Sequence, residues 1–185
     1  MSVRYVFDKR QSQFTVQAFK TGLLSTFGHS PTFAVGDYSG EARFGAGGLA
    51  SFSLELTVVA DSLSLLDRVG VTDRREIESR MRDDVLETRA HPEIRYRAER
   101  LADERIAPGR YRIRIGGPLS LHGVTHPHQI DAELTVFNDA LQLRGGCALR
   151  LSDYQIKPVS ALAGAIKLKD ELQLTFDLNA PKEET

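Results

Sequence analysis

The run GRYRIRIGGPLSLHGVTHPHQIDAELTVF, residues 109–137, limits the possible folds more than any other part of the chain. Tyr111, Ile113 and Ile115 alternate with Arg110, Arg112 and Arg114, which gives an extended chain one apolar and one charged face. Leu119 and Leu121 alternate with Ser120 and His122, and Ile130, Ala132, Leu134 and Val136 repeat the pattern. Gly116, Gly117 and Pro118 read as a break, because glycine reaches positive φ freely and proline cannot donate to a central ladder. Residues 123–127 read as a second connection. The spacing predicts three strands and two turns of a meandering antiparallel sheet with one apolar face.

The same period recurs on both sides. Val3, Tyr5 and Phe7 alternate, as do Phe14, Val16 and Ala18. Residues 32–44 read as two short strands joined near Gly40, and residues 45–48 as a turn. Phe52, Leu54, Leu56 and Val58 form the cleanest alternation in the chain. Ile94 and Tyr96 follow His91 and Pro92. Leu141, Leu143 and Leu149 share a strand interrupted by Gly145 and Gly146, where a bulge, a bend or a close approach is expected. Leu172, Leu174, Phe176 and Leu178 supply the last strand.

The period changes only in DRREIESRMRDDVL, residues 73–86. Ile77, Met81 and Val85 recur every four residues, a single apolar stripe on a surface helix. Asp73 with Glu76 fits a capping box, and Glu76–Arg80 and Glu78–Arg82 are i,i+4 pairs in the favourable orientation. The charged remainder reads as a solvated face, with a partner-binding face as the alternative.

With 185 residues and no linker or repeat, the chain reads as a single domain over residues 1–185. A net charge of −1 argues against a general nucleic-acid surface. The lone Cys147 permits no internal disulfide. The start, MSVRYVFDKRQ, has no apolar export core, and no run approaches the roughly 18 apolar residues of a membrane span. A cytoplasmic protein with no integral membrane segment is the expectation. Many strands and one helix leave a sandwich or a closed barrel, which periodicity does not separate.

A resemblance narrows the choice. GGPLSLHGVTHPHQIDAEL is similar to the G-x-L-T-L-x-G-V-T-x-P-V-x-L core of the YceI-like family, the polyisoprenoid-binding proteins. FDKRQSQFTVQAF, FGHSPTFAVGDYSGEARF, the charged helix running into HPEIRYRAERL, and LRLSDYQI stand in the family's order. Tyr5 replaces an opening tryptophan, and His128 replaces an aliphatic residue. The resemblance covers residues 3–178. It implies an all-β fold, an extended antiparallel lipocalin-like barrel of about eight strands with one surface α-helix. It also implies an apolar lumen that holds a long isoprenoid or similar amphiphile, and no catalytic residue. Several members are secreted and several form dimers, so a homodimer is a further expectation.

The expected ligand-binding residues are apolar and inward-facing: Phe14, Val16, Phe33, Phe52, Leu54, Leu56, Ile94, Tyr96, Ile113, Leu134, Leu149, Leu174 and Phe176. The bland alternative is that they fill a solid core. No cofactor and no metal are expected. His29, His91, His122, His126 and His128 invite a metal reading, but the sequence shows no set of carboxylates or thiolates at ligand spacing beside them. They read as exposed or capping residues. Ser30 is no nucleophile elbow, because Thr32 stands where a second glycine is required. Cys147 reads as a small packed residue. The protein is expected to hold an isoprenoid, quinone or fatty amphiphile. The rival functions are an isomerase or hydrolase of an apolar substrate in the same cavity, and an interaction module acting through the helix.

Overall fold

The computed structural model describes residues 2–21, 30–157, 160–161 and 166–183. The described residues form twelve strands: β1 (Val3–Val6), β2 (Gln13–Thr21), β3 (Thr32–Val35), β4 (Tyr38–Gly45), β5 (Gly48–Val59), β6 (Leu63–Leu65), β7 (Glu93–Ala107), β8 (Arg110–Leu121), β9 (Val124–Val136), β10 (Ala140–Arg150), β11 (Ser160–Ala161) and β12 (Ile166–Pro181). All pairings are antiparallel. The order is β1-β4-β5-β7-β8-β9-β10-β12-β2-β3-β6, with β11 on β12.

Twelve strands exceed the eight or so expected, and interrupted ladders explain the excess. Gly36 and Asp37 separate β3 from β4, and a 3-10 turn, Ala60–Ser62, separates β5 from β6. The ladder that pairs Tyr38 with Val58 resumes beyond the break, with Val35 opposite Leu63. Gly36 N donates to Ser62 O at 3.2 Å and Val59 N to Asp37 O at 3.0 Å, so the break carries its own hydrogen bonds. β2 pairs with one edge of β12, and further along that edge Tyr5 of β1 bridges Lys182. Taken as continuous ribbons, β1–β2, β3–β4, β5–β6, β7, β8, β9, β10 and β12 make eight. The sheet curls until the first of them meets the last.

Two expected breaks are not breaks. β8 runs straight through Gly116, Gly117 and Pro118. A Cβ on Gly117 would lie 2.1 Å from Arg97 O of β7, so glycine is there for close approach and not for a turn. Pro118 stands opposite Pro127, and β9 begins at Val124. The residues read as three strands and two turns are therefore one hairpin. Its turn is His122–Gly123 alone, with φ of +52° and +75°, the signature of a type I′ connection. Likewise β10 passes unbroken through Gly145, whose missing side chain makes room for the Phe176 ring (Cζ 3.0 Å from an added Cβ).

The helix α1 (Val71–Arg80) starts two residues before the expected point. Gly70 is its N-cap and accepts from Arg74 N at 2.9 Å, so Asp73 lies in the first turn and does not cap it. The helix then widens into a π turn, Met81–Val85, closed by Leu86 N on Met81 O at 3.0 Å. Met81 and Leu86 are buried, and Ile77 and Val85 pack half-buried against the same core. Glu76 pairs with Arg80 at 2.9 Å as expected. Glu78 does not reach Arg82. It accepts from Leu65 N at 2.9 Å, while Arg74 donates to Leu65 O and, at 2.9 Å, to Asp67 O. Helix side chains thus satisfy the free edge of β6, where a neighbouring strand would otherwise be needed.

Met81→Asp places a carboxylate in this apolar contact. The expected loss is about 2–4 kcal/mol, from the lost side chain and the buried unpaired charge. An unshifted urea midpoint would show that the π turn is not docked on the barrel.

Candidate ligand-binding lumen

The barrel is filled unequally. In the half near the β4–β5, β7–β8 and β9–β10 turns, large inward side chains pack against one another on neighbouring strands. Phe44 packs edge-to-face on Phe52 (centroids 5.3 Å apart) and on Tyr5 (5.7 Å). Ile113, Leu134 and Leu141 are almost fully buried beside them. In the other half, toward the His122–Gly123 turn and the π turn, the side chains do not meet. A cavity of about 140 Å³ remains, with Leu86 and Leu121 among its walls at that end.

Nine of the thirteen residues named from the sequence line this cavity: Phe14 and Val16 of β2, Leu54 and Leu56 of β5, Ile94 and Tyr96 of β7, Leu149 of β10, and Leu174 and Phe176 of β12. Phe33, Phe52, Ile113 and Leu134 do not. Phe52, Ile113 and Leu134 belong to the solid half, and Phe33 is buried where β3 lies opposite Val16 and Leu65. The alternation gives their inward facing correctly but not their level along the axis. Ile115, Leu119, Leu121, His128, Ile130 and Cys147, which are not among the thirteen, also line the cavity. Parity with Ile113 and Leu134 carried a signal for most of them. None existed for Leu86, which the π turn swings inward.

Three side chains bring polar atoms to this otherwise apolar wall. Tyr96 Oη donates to His128 O at 3.1 Å, and burial pushes its phenol pKa upward. Burial also pushes the Cys147 thiol up to about 11, so it carries little reactive thiolate at neutral pH. His128 Nε2 is buried and has no hydrogen-bond partner among the described residues. Burial, and secondarily His126, hold its imidazole below the ordinary 6.5 against the opposing pull of Asp153. It is therefore a neutral ring at neutral pH, with a polar nitrogen in an apolar chamber.

The wall beside His128 is incompletely zipped. The β9–β10 ladder ends at Asp131–Gly146, although β9 extends back to Val124 and β10 on to Arg150. Beyond it sits the 3-10 turn Leu151–Tyr154, whose buried Tyr154 has its phenol raised to about 12 by desolvation first and Asp153 second.

The fold separates the histidines that lie close together in sequence. His126 is exposed, its ring 6.2 Å from that of Tyr154. His122 is half-buried, with Nε2 2.8 Å from Glu87 Oε2 and its ring 4.5 Å from that of His91. A carboxylate and a second histidine do stand beside His122, supplied by a distant part of the chain. His29 lies outside the described residues. The Ser30 hydroxyl accepts from Lys20 N at 3.4 Å.

The YceI-like domain family matches residues 5–180. Among solved structures, BcnA of Burkholderia cenocepacia superimposes with a TM-score of 0.68 at 14% identity, over 94% of this chain and 99% of that one. A polyisoprenoid binding domain from Saccharophagus degradans implicated in plant cell wall breakdown gives 0.67 at 14% identity, over 97% and 98%. A YceI protein of Campylobacter jejuni gives 0.54 at 18% identity, over 80% and 82%. No match is found among curated proteins. The β-barrel topology, the sequence match over nearly the whole chain and the shared fold agree: the chain belongs to the YceI-like family.

Proposed function

We propose that the protein binds and carries a slender amphiphile, an isoprenoid, quinone or fatty chain, and does not transform it. The observation that carries this is the half-hollow barrel, with a wall that is apolar except at Tyr96, Cys147 and His128. Apolar burial contributes roughly 25 cal/mol per Å², so a chain is held there without directional bonds. The void resembles in size the engineered cavity of about 150 Å³ that stays dry and takes up benzene. It suits one narrow segment rather than a broad ring system, with surplus length leaving past the unzipped β9–β10 wall. His128 Nε2 orients the guest by meeting a hydroxyl or carbonyl at its polar end. A structural relative described as a polyisoprenoid binding domain supports the ligand class.

Organic extraction of the freshly purified protein is expected to release a long-chain lipid at near one equivalent. Leu174→Trp fills the hollow without adding charge, and it should cut that yield while the β-rich circular dichroism persists. A lipid-free wild-type extract, together with no uptake of added polyprenol or quinone, would overturn the carrier reading.

A pH test addresses His128 alone. Its folded pKa lies below the ordinary 6.5, so between these values the unfolded chain binds more protons than the folded one. Stability conferred by the neutral ring is present above 6.5 and is lost as pH falls through that window. Urea midpoints at pH 7.5 and 5.5 should fall further for wild type than for His128→Phe. Equal falls would place the ring in solvent.

A further inference from the structure

The geometry points to a divalent metal site formed by Glu87, His91 and His122, of the class that takes Zn²⁺ through two imidazoles and one carboxylate. One candidate donor atom from each residue lies within 4.8 Å of the others. The three come from two turns far apart in sequence. Glu87 and His91 lie just after the π turn, where Glu87 O accepts from His91 N at 2.9 Å and from Ala90 N at 2.8 Å. His122 comes from the β8–β9 hairpin.

The surroundings hold the donors in place. Glu87 and His122 both adopt left-handed backbone, with φ of +46° and +52°. Gly123 leaves room for the second imidazole, since an added Cβ would lie 2.9 Å from His91 Cε1. Two nitrogens and one oxygen suit first-row divalent ions, and three protein donors leave a fourth position for water. Without metal, the Glu87–His122 hydrogen bond occupies the same space. Binding replaces that bond with two coordinate bonds and draws in His91.

The site lies directly behind the end of the lumen. Leu86, next to Glu87, and Leu121, next to His122, both line the cavity. A metal there clasps the π-turn segment to the β8–β9 hairpin and fixes both leucines. The metal site itself does not depend on what the lumen carries.

The test uses the full chain, stripped with a chelator, dialysed and titrated with ZnCl₂ by equilibrium dialysis. Wild type and His126→Gln should each take up one saturable equivalent. His91→Gln and His122→Asn should weaken uptake by more than about 100-fold, since loss of a direct ligand should cost at least as much as loss of a second-shell partner. Asparagine suits the left-handed turn position, so His122→Asn leaves the hairpin intact. Co²⁺ should give the visible bands of a low-coordinate site in wild type and His126→Gln, and not in His91→Gln or His122→Asn. Amide exchange in residues 86–91 and 121–124 should slow on zinc addition, which reads the clasp independently of any lipid. Zinc uptake by His91→Gln equal to that of wild type, or loss of uptake in His126→Gln, would overturn the proposal.

Discussion

Strand edges govern this architecture. A sheet this long ends in rows of unpaired N–H and C=O groups, which are costly when buried and invite pairing with other chains when exposed. β12 answers much of the problem, because it pairs with β10 on one side and is shared by β2 and β1 on the other. β6 would still present an edge, since β7 begins only at Glu93. Arg74 and Glu78 of α1 supply the missing partners there. A helix that looks from its charges like a solvated surface element is thus part of the closure. That role also explains why Glu78 abandons Arg82, an exchange of a weak exposed pair for a hydrogen bond to backbone.

Closure then sets where space is left. Eight ribbons enclose an interior that side chains just fill, provided large residues meet across the axis. In one half the rings of Phe44, Phe52 and Tyr5, on the neighbouring strands β1, β4 and β5, occupy that interior. In the other half, aliphatic side chains of β5, β8, β10 and β12 stop short of one another, and the interior stays open. The solid half supplies the stability that the hollow half gives up, and the helical segment covers the hollow half with Leu86. Among the described residues, the cavity therefore follows from the sizes of the inward side chains, and its cover from the π turn that carries Leu86.

Strand facing, the existence of one helix and its apolar stripe were all legible in the sequence, because each follows from a local period. What was not legible depends on neighbours. Gly117 and Gly145 look like punctuation in one dimension, yet each is a strand residue whose missing side chain admits Arg97 O or the Phe176 ring. Phe52 and Leu54 belong to one alternating face of β5, yet one packs the core and the other lines the lumen. Their height along the barrel is fixed by register with β4 and β7, which no local pattern encodes. The helix boundary slipped for a similar reason: Asp73 has the right side chain for a cap, but Gly70 occupies the position.

The histidines carry the same lesson into chemistry. Strand period groups His126 with His128, and chain proximity adds His122. The type I′ turn instead points His122 away from β9, toward a segment more than thirty residues earlier in the sequence. What remains in the lumen is His128 alone, without a partner among the described residues. A single neutral imidazole in an apolar wall adds little to affinity for a hydrocarbon and costs something to bury. Its place in this wall suits a guest that brings a polar end, which would give the nitrogen a partner. The hydrophobic wall would set how tightly a chain is held, and His128 would set which way round it lies.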